Sequence, residues 1–347
     1  MYDVIVIGAG PAGCAAAKIL AERGRKVLLT ERFSLPRNKS CSGVLIQKSL
    51  GLIERIFGGE VPTFALCEPN ESLGMILTDE NGTAETFAQS GLNVWRSEFD
   101  WWLALKAAEY GAELAEESPV LSCEEAEDYV SEEYVKVTFG GKARRTETAR
   151  YVVNCEGAAG VLKLKLLGIP QEHITTFQTF NKGEIALDHR YFHAFLQPAL
   201  SEYDAWFNVK DDFLIFGVAV KDRQKIPLYY DRFLHFLKEN HALKIEKQIR
   251  SEKWLMPRIF PDCPIEYGAG HVLFAGEAAG FLNPMGEGIS SAIESGALAA
   301  KAIDEHFGEE LSTIYSDYRS LTEPLSVYMR RQWRFIADRS SFFREMK

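Results

Sequence analysis

Six residues, Gly8-Ala9-Gly10-Pro11-Ala12-Gly13, spell G-x-G-x-x-G directly after an apolar, β-branched run, Asp3-Val4-Ile5-Val6-Ile7. The run reads as a strand buried on both faces. The Ala-rich stretch from Cys14 to Arg23 reads as a helix, closed by Gly24. The chemistry this arrangement supports is dinucleotide binding. Gly8 permits the tight turn, Gly10 lets the backbone approach a pyrophosphate, and Gly13 lets the helix pack on the sheet. Pro11 suits the first helical position, and the helix start around Ala12 offers unpaired N–H groups and a positive dipole end to phosphate. Glu31 closes the next strand, 26–30, eighteen positions after Gly13, where a carboxylate can accept ribose hydroxyls. On these features FAD and NAD(P) both remain open.

The elements that must position these residues are scattered along the chain. After Glu31 comes a turn-rich loop, 32–43, with three cations, Arg32, Arg37 and Lys39. A helix is expected at 44–57, and a hairpin at 74–78 and 83–88 around Asn81-Gly82. A helix is expected at 101–110, capped by Ser97 with Asp100 as the acidic cap partner. A three-stranded excursion follows at 112–150, with acidic turns at 124–128 and 131–133. Residues 151–154 read as a buried strand, and the aromatic-rich 175–220 as a mostly antiparallel sheet. A helix at 229–240, a strand at 272–275, a small-residue helix at 289–302 and a helical end, 311–347, complete the chain.

The fold class expected from these elements is α/β: a Rossmann-like dinucleotide-binding domain, an inserted antiparallel-sheet substrate domain, and C-terminal helices. The boundaries are 1–60, 91–165 and 266–305 for the discontinuous first domain, 61–90 and 166–265 for the second, and 306–347 for the helices.

Composition narrows the function. With 347 residues, 46% apolar and 25% charged, the chain has an ordinary globular balance. Its net charge of −10 argues against nucleic acid as a partner. Six cysteines without a C-x-x-C pair suit a reducing compartment and no metal site. Neither a signal peptide nor a transmembrane run is expected, which suggests a cytoplasmic protein. The segment 329–336 mixes arginines with aromatics on a helix. A peripheral contact with a membrane surface is an alternative there, less favoured than packing on the protein.

Three further motifs carry a resemblance to the FAD-dependent family of aromatic hydroxylases, flavin halogenases and geranylgeranyl reductases, across residues 1 to about 302. Arg96-Ser97-Glu98-Phe99-Asp100 resembles its R-x-x-F-D element, whose arginine approaches the flavin. Cys155-Glu156-Gly157 resembles its Asp-Gly motif, with Glu156 for Asp and Lys163 for the usual Arg. Gly276-Glu277 through Gly286, Gly288 and Ile289 resembles its Gly-Asp motif. The resemblance implies that the first domain is a Rossmann-like FAD-binding domain of the glutathione reductase type, with FAD bound by Gly8, Gly10, Pro11, Ala12, Gly13, Glu31, Arg32, Arg96, Gly157, Gly276, Glu277, Gly286, Gly288 and Ile289. Within the family, Lys39-Ser40-Cys41-Ser42-Gly43 resembles the K-x-C-x-G loop of the geranylgeranyl reductases, whose cysteine lies near the flavin. This adds Lys39, Cys41, Ser42 and Gly43 to the cofactor site and makes Cys41 a catalytic candidate. Arg37 and Lys39 make its surroundings electropositive, which can lower a thiol pKa. Those reductases also carry Tyr-x-Trp-x-Phe-Pro over the substrate. Here Asp204-Ala205-Trp206-Phe207-Asn208-Val209 keeps only the tryptophan, and Trp206 is the second catalytic candidate.

The implied activity is reduction of a C=C bond in a hydrophobic substrate, an isoprenoid or lipid, with NAD(P)H or an external flavodoxin or ferredoxin as electron donor. A monooxygenase acting on an aromatic substrate is the alternative, and a flavin-carrying binding protein a third.

Overall fold

The computed structural model describes residues 1–127, 133–141 and 144–345. Among these the helices are α1 (Pro11–Glu22), α2 (Gln47–Phe57), α3 (Arg96–Glu109), α4 (Val161–Leu167), α5 (Ile226–His241), α6 (Ile289–Glu305), α7 (Leu311–Ala337) and α8 (Ser341–Glu345).

Val4, Ile5 and Val6 are fully buried, as a run apolar on both faces demands. Their strand, Tyr2–Ile7, runs parallel to Val27–Thr30 on one side and to Arg145–Asn154 on the other. Val272–Phe274 and Glu113–Ala115 extend the sheet in parallel at either side. A hairpin of Val120–Glu127 and Glu133–Phe139 joins Arg145–Asn154 antiparallel. The acidic turn expected at 131–133 lies largely outside the described residues.

The turn out of the first strand needs glycine. Gly8 has φ +98°, and a Cβ there would stand 2.5 Å from the Cys155 carbonyl oxygen. Small residues then bring α1 and α6 backbone to backbone: a Cβ on Gly296 would lie 2.1 Å from the Ala12 carbonyl oxygen. The glycine turn after Phe274 reaches the same residue, since a Cβ on Gly276 would lie 2.9 Å from the Ala12 Cβ.

The second sheet has eight strands in the order Lys244–Pro257, His173–Glu184, Phe213–Val220, Ala205–Lys210, Tyr191–Phe195, Leu66–Thr78, Ala84–Val94, Val44–Ile46. Its neighbours pair antiparallel except Tyr191–Phe195 with Leu66–Thr78, which run parallel. Phe207, Val209, Phe216 and Val218 bury one face under α5, against Phe233 and Leu237. The opposite face, with Trp206, Ala194 and Leu77, joins the main core.

The C-terminal helices strap onto this second sheet. Phe343 meets Tyr203 at 4.5 Å and Phe335 meets Phe87 at 5.4 Å between ring centroids. Arg339 pairs with Glu85 at 2.8 Å and Arg344 with Glu80 at 2.6 Å. Met329, Trp333 and Ile336 are buried in the protein. Among the described residues no helix is long and apolar enough to cross a membrane.

Three local expectations need correction. The acidic turn expected at 124–128 is strand as far as Glu127, where Glu124 to Glu127 pair with residues 133–136. The segment expected as one helix at 44–57 begins as a strand, Val44–Ile46, whose three apolar residues pair with residues 91–93 before α2 starts at Gln47. The helix expected from 101 starts at Arg96, with Trp95 as its N-cap and no side-chain cap bond. Ser97 is therefore inside the helix, and Asp100 stands one turn beyond Arg96, fully buried rather than capping.

Candidate cofactor site and the Cys41 loop

The site grows from the open side of the glycine turn. A Cβ on Gly10 would find only the Arg37 guanidinium, with Nη2 at 3.8 Å. Gly10 is the N-cap of α1 and no side chain caps that helix, so its first N–H groups are free toward this space. Glu31 lies beside it, 4% exposed. Its Oε2 accepts the Ala9 amide at 3.3 Å and Arg37 Nε at 3.0 Å, and its Oε1 accepts the Phe33 amide at 3.2 Å. A carboxylate offers about four lone-pair positions, so Oε1 keeps capacity for a further donor.

Arg37 continues inward. Its Nη1 pairs with Asp100 Oδ2 at 2.9 Å, and its Nη2 reaches the Ala9 carbonyl at 3.4 Å. Asp100 is also gripped by Arg96 in a two-point fork, Nε to Oδ1 at 2.8 Å and Nη2 to Oδ2 at 2.9 Å. Burial pushes the Asp100 carboxyl up, but Arg96 and Arg37 outweigh it and hold it below its ordinary value.

Cys41 lies within the field of Arg96, whose positive charge draws its thiol pKa down. The Gly43 amide donates to Cys41 Sγ at 3.4 Å. Gly43 itself turns at φ +72°, where a Cβ would stand 2.1 Å from the Val94 carbonyl oxygen and 2.6 Å from Lys210 Nζ. Lys210, buried, donates to that same Val94 oxygen at 2.9 Å and lies 4.8 Å over the Trp95 ring. Burial pushes the Cys41 thiol up; Arg96, Lys210 and the Gly43 N–H together pull it below the ordinary value. The other cysteines go the opposite way through burial, Cys67 and Cys263 to about 11 and Cys123 to about 12.

The loop is tied on both sides. Asn38 reaches Glu252 of the second sheet at 3.0 Å, and Lys39 pairs with Glu277 at 3.8 Å. Gly157 adjoins Glu277, since a Cβ there would lie 3.5 Å from Oε2. Gly276 backs onto Ala12, whose Cβ would be 2.9 Å from a Cβ at Gly276. A Cβ on Gly286 would meet nothing within 4 Å. Gly288 caps α6, whose first residue, Ile289, is buried, and Glu287 accepts the Ser290 amide at 2.8 Å. Glu156 accepts the Leu162 amide at 2.8 Å, in the first turn of α4. Ser42 is half-buried on the loop. Arg32 stacks 4.7 Å over Phe33 and lines, with Ser34, Glu117, Pro119 and Gly141, a cleft of about 460 Å³ next to Glu31.

The structure thus gathers Gly10, Glu31, Arg96, Cys41 and Gly43 into one connected group, and joins Lys39, Gly157 and Glu277 in a second. Trp206 belongs to neither group: it stands four residues before Lys210, about 13 Å along the strand. Sequence reasoning missed Asp100 as the bridge and Lys210 altogether. The i, i+4 spacing of Arg96 and Asp100 could have signalled the first; Lys210 sits far along the chain with no motif around it.

These residues fit a dinucleotide. Gly10 is open, the helix start is uncapped, a guanidinium faces both, and Glu31 keeps an acceptor position. Residues 1–229 match the family model described as FAD binding domain. The chain belongs to this FAD-binding family. It is an FAD-dependent oxidoreductase, of the reductase or monooxygenase kind. A digeranylgeranylglycerophospholipid reductase of Methanocaldococcus jannaschii is 28% identical over 319 residues, 87% of this flavoprotein and 76% of the relative. A geranylgeranyl bacteriochlorophyll reductase-like structure from Thermoplasma acidophilum superposes with a TM-score of 0.80 at 19% identity, over 96% of this chain and 86% of that one. The myxobacterial chondrochloren halogenase CndH superposes at 0.74 and 16%, over 98% and 83%. At such identities the structures share the fold with this flavoprotein.

Proposed function

We propose that this flavoprotein reduces a carbon–carbon double bond in a hydrophobic, isoprenoid-like substrate. The observation that carries the reading is the Cys41 thiol, set between Arg96 and Lys210 and in contact with the Gly43 N–H. FAD, when bound, supplies hydride chemistry. Gly10, the α1 N-terminus and Arg37 hold its pyrophosphate, and Glu31 its ribose. The first sheet carries that cofactor half of the site, and the Trp206 face of the second sheet carries the substrate. Cys41 gives a proton to the substrate carbon that does not receive hydride. The thiolate left behind is stabilised by the two cations, and a thiol pKa drawn down toward working pH suits it to that transfer. Electrons reach the enzyme from NAD(P)H or from a flavodoxin or ferredoxin. Relatives named digeranylgeranylglycerophospholipid reductases support an isoprenoid lipid as the substrate class.

The experiment is anaerobic stopped-flow oxidation of the reduced holoenzyme by a polyprenyl alkene. Cys41→Ala should keep FAD and slow that oxidation by roughly 10²–10⁴-fold, while oxidation by O2 stays as in the wild type. The polar residues at 204 and 208, where the reductase motif is aromatic, favour a second reading, a monooxygenase. Aerobic hydroxylation of an aromatic probe, with no alkene able to oxidise the reduced enzyme, would establish it instead.

A further inference from the structure

The Ala205–Lys210 strand pairs with Phe213–Val220, Trp206 opposite Gly217 and Asn208 opposite Ile215. Alternation along the strand puts Trp206, Asn208 and Lys210 on one face, and Asp204, just before the strand, continues that row. Phe207 and Val209 point the other way, into the cluster under α5. The row starts at Lys210, beside the Cys41 loop, and leads away across the sheet. Gly217 makes room for the Trp206 indole, since a Cβ there would lie 2.0 Å from its ring.

Two members of this row are out of keeping with an apolar wall. Asn208 is 4% exposed, and its Oδ1 is sealed from solvent with no hydrogen-bond partner. Its neighbour across the strand pair is Ile215, and Trp206 precedes it on the same face. Asp204 is half-buried and forms no ion pair among the described residues. Burial pushes its carboxyl up to about 7. An unmet buried acceptor is destabilising, and native proteins keep few of them. Both stand where the Tyr-x-Trp-x-Phe-Pro spelling has an aromatic ring. The Asn208 amide oxygen therefore calls for a partner that arrives with the ligand.

We propose that Asn208, next to Trp206 on the same face of the strand, forms a polar subsite that selects a substrate bearing a hydroxyl on an otherwise apolar body, over a bare hydrocarbon. Asn208 Oδ1 accepts the hydroxyl hydrogen, and Trp206 packs on the adjoining apolar part. The inference rests on the hydrophobic-substrate reading above.

The test is calorimetric titration of the FAD-loaded protein with geraniol, farnesol and geranylgeraniol, each matched with its deoxy hydrocarbon. In the wild type the best-fitting alcohol should bind about tenfold tighter than its hydrocarbon. Asn208→Leu should bring that ratio to about one and leave hydrocarbon binding equal or tighter. Asn208→Ser, which keeps an acceptor, should retain part of the preference and guards against a folding defect in the leucine variant. Equal binding of alcohol and hydrocarbon in the wild type, or a preference that survives Asn208→Leu, overturns the subsite alone, with the amide then met by an ordered water. Failure of every alcohol and every hydrocarbon to bind overturns the hydrophobic-substrate reading and the subsite with it.

Discussion

Arg37 and Asp100, 63 positions apart, close an ion pair of 2.9 Å inside the protein. That contact ties the loop after Glu31 to helix α3. It also completes a line of alternating charge from Glu31 through Arg37, Asp100 and Arg96 to Cys41. The residues proposed to hold the cofactor and the thiol proposed to react are thereby linked along one line of charges.

Asp100 is the member whose loss should cost most. Asp100→Asn leaves two buried guanidinium groups without their shared anion, and breaking a buried pair costs about 3–5 kcal/mol. The folded carboxyl lies below its ordinary value, so its stabilisation is complete above the unfolded pKa of about 3.9 and fades as pH falls through the lower folded value. Urea unfolding of wild type and variant should show the same gap at pH 7 and at about pH 5, narrowing only below about pH 4. A gap that already closes between pH 7 and 5 would contradict the pairing.

Cys41 should be the one fast-reacting thiol. With Cys67, Cys123 and Cys263 raised by burial, and Cys14 and Cys155 raised further, iodoacetamide at neutral pH should modify a single cysteine rapidly, and Cys41→Ser should abolish that phase. The pH profile of the rate should turn over below the ordinary thiol pKa of about 8.5. Lys210→Met should move the midpoint upward and Lys210→Arg should largely restore it. Peptide mapping identifies the labelled residue.

Gly10 and Gly13 should separate binding from folding. An added Cβ at Gly10 has room, while one at Gly13 would stand 1.9 Å from the Gly8 carbonyl oxygen. Gly10→Val should therefore yield a folded, colourless protein with a Tm near that of the wild-type apoprotein. Gly13→Val should fail to fold. Circular dichroism and the flavin spectrum distinguish the two cases.

Glu31→Ala should weaken FAD binding by roughly 1.5–3 kcal/mol, the value of hydrogen bonds to a charged acceptor. Arg37→Ala should weaken it as well, with the added effect of leaving Glu31 and Asp100 each short of a cation. Titration of apoprotein with FAD measures both, and unchanged affinity in Glu31→Ala would remove the ribose assignment.

Local order supplied much of this. The apolar run 3–7, the G-x-G-x-x-G turn and Glu31 are contiguous, and their spacing alone specifies a strand, a turn, a helix and a carboxylate beside them. The aromatic alternation of 175–220 likewise announced a sheet, because a period of two survives without knowledge of the partners. The start of α3 was not legible: Ser97 is a good cap residue, but the cap position falls to Trp95 and buries Asp100. Nor was the parallel pairing of Tyr191–Phe195 with Leu66–Thr78, which depends on chain routing rather than composition. Tertiary structure alone decided that Lys210 stands beside Cys41. Those residues are 169 positions apart, and a charge acts through space over a few ångströms whatever the length of chain between, so no local pattern could record their meeting.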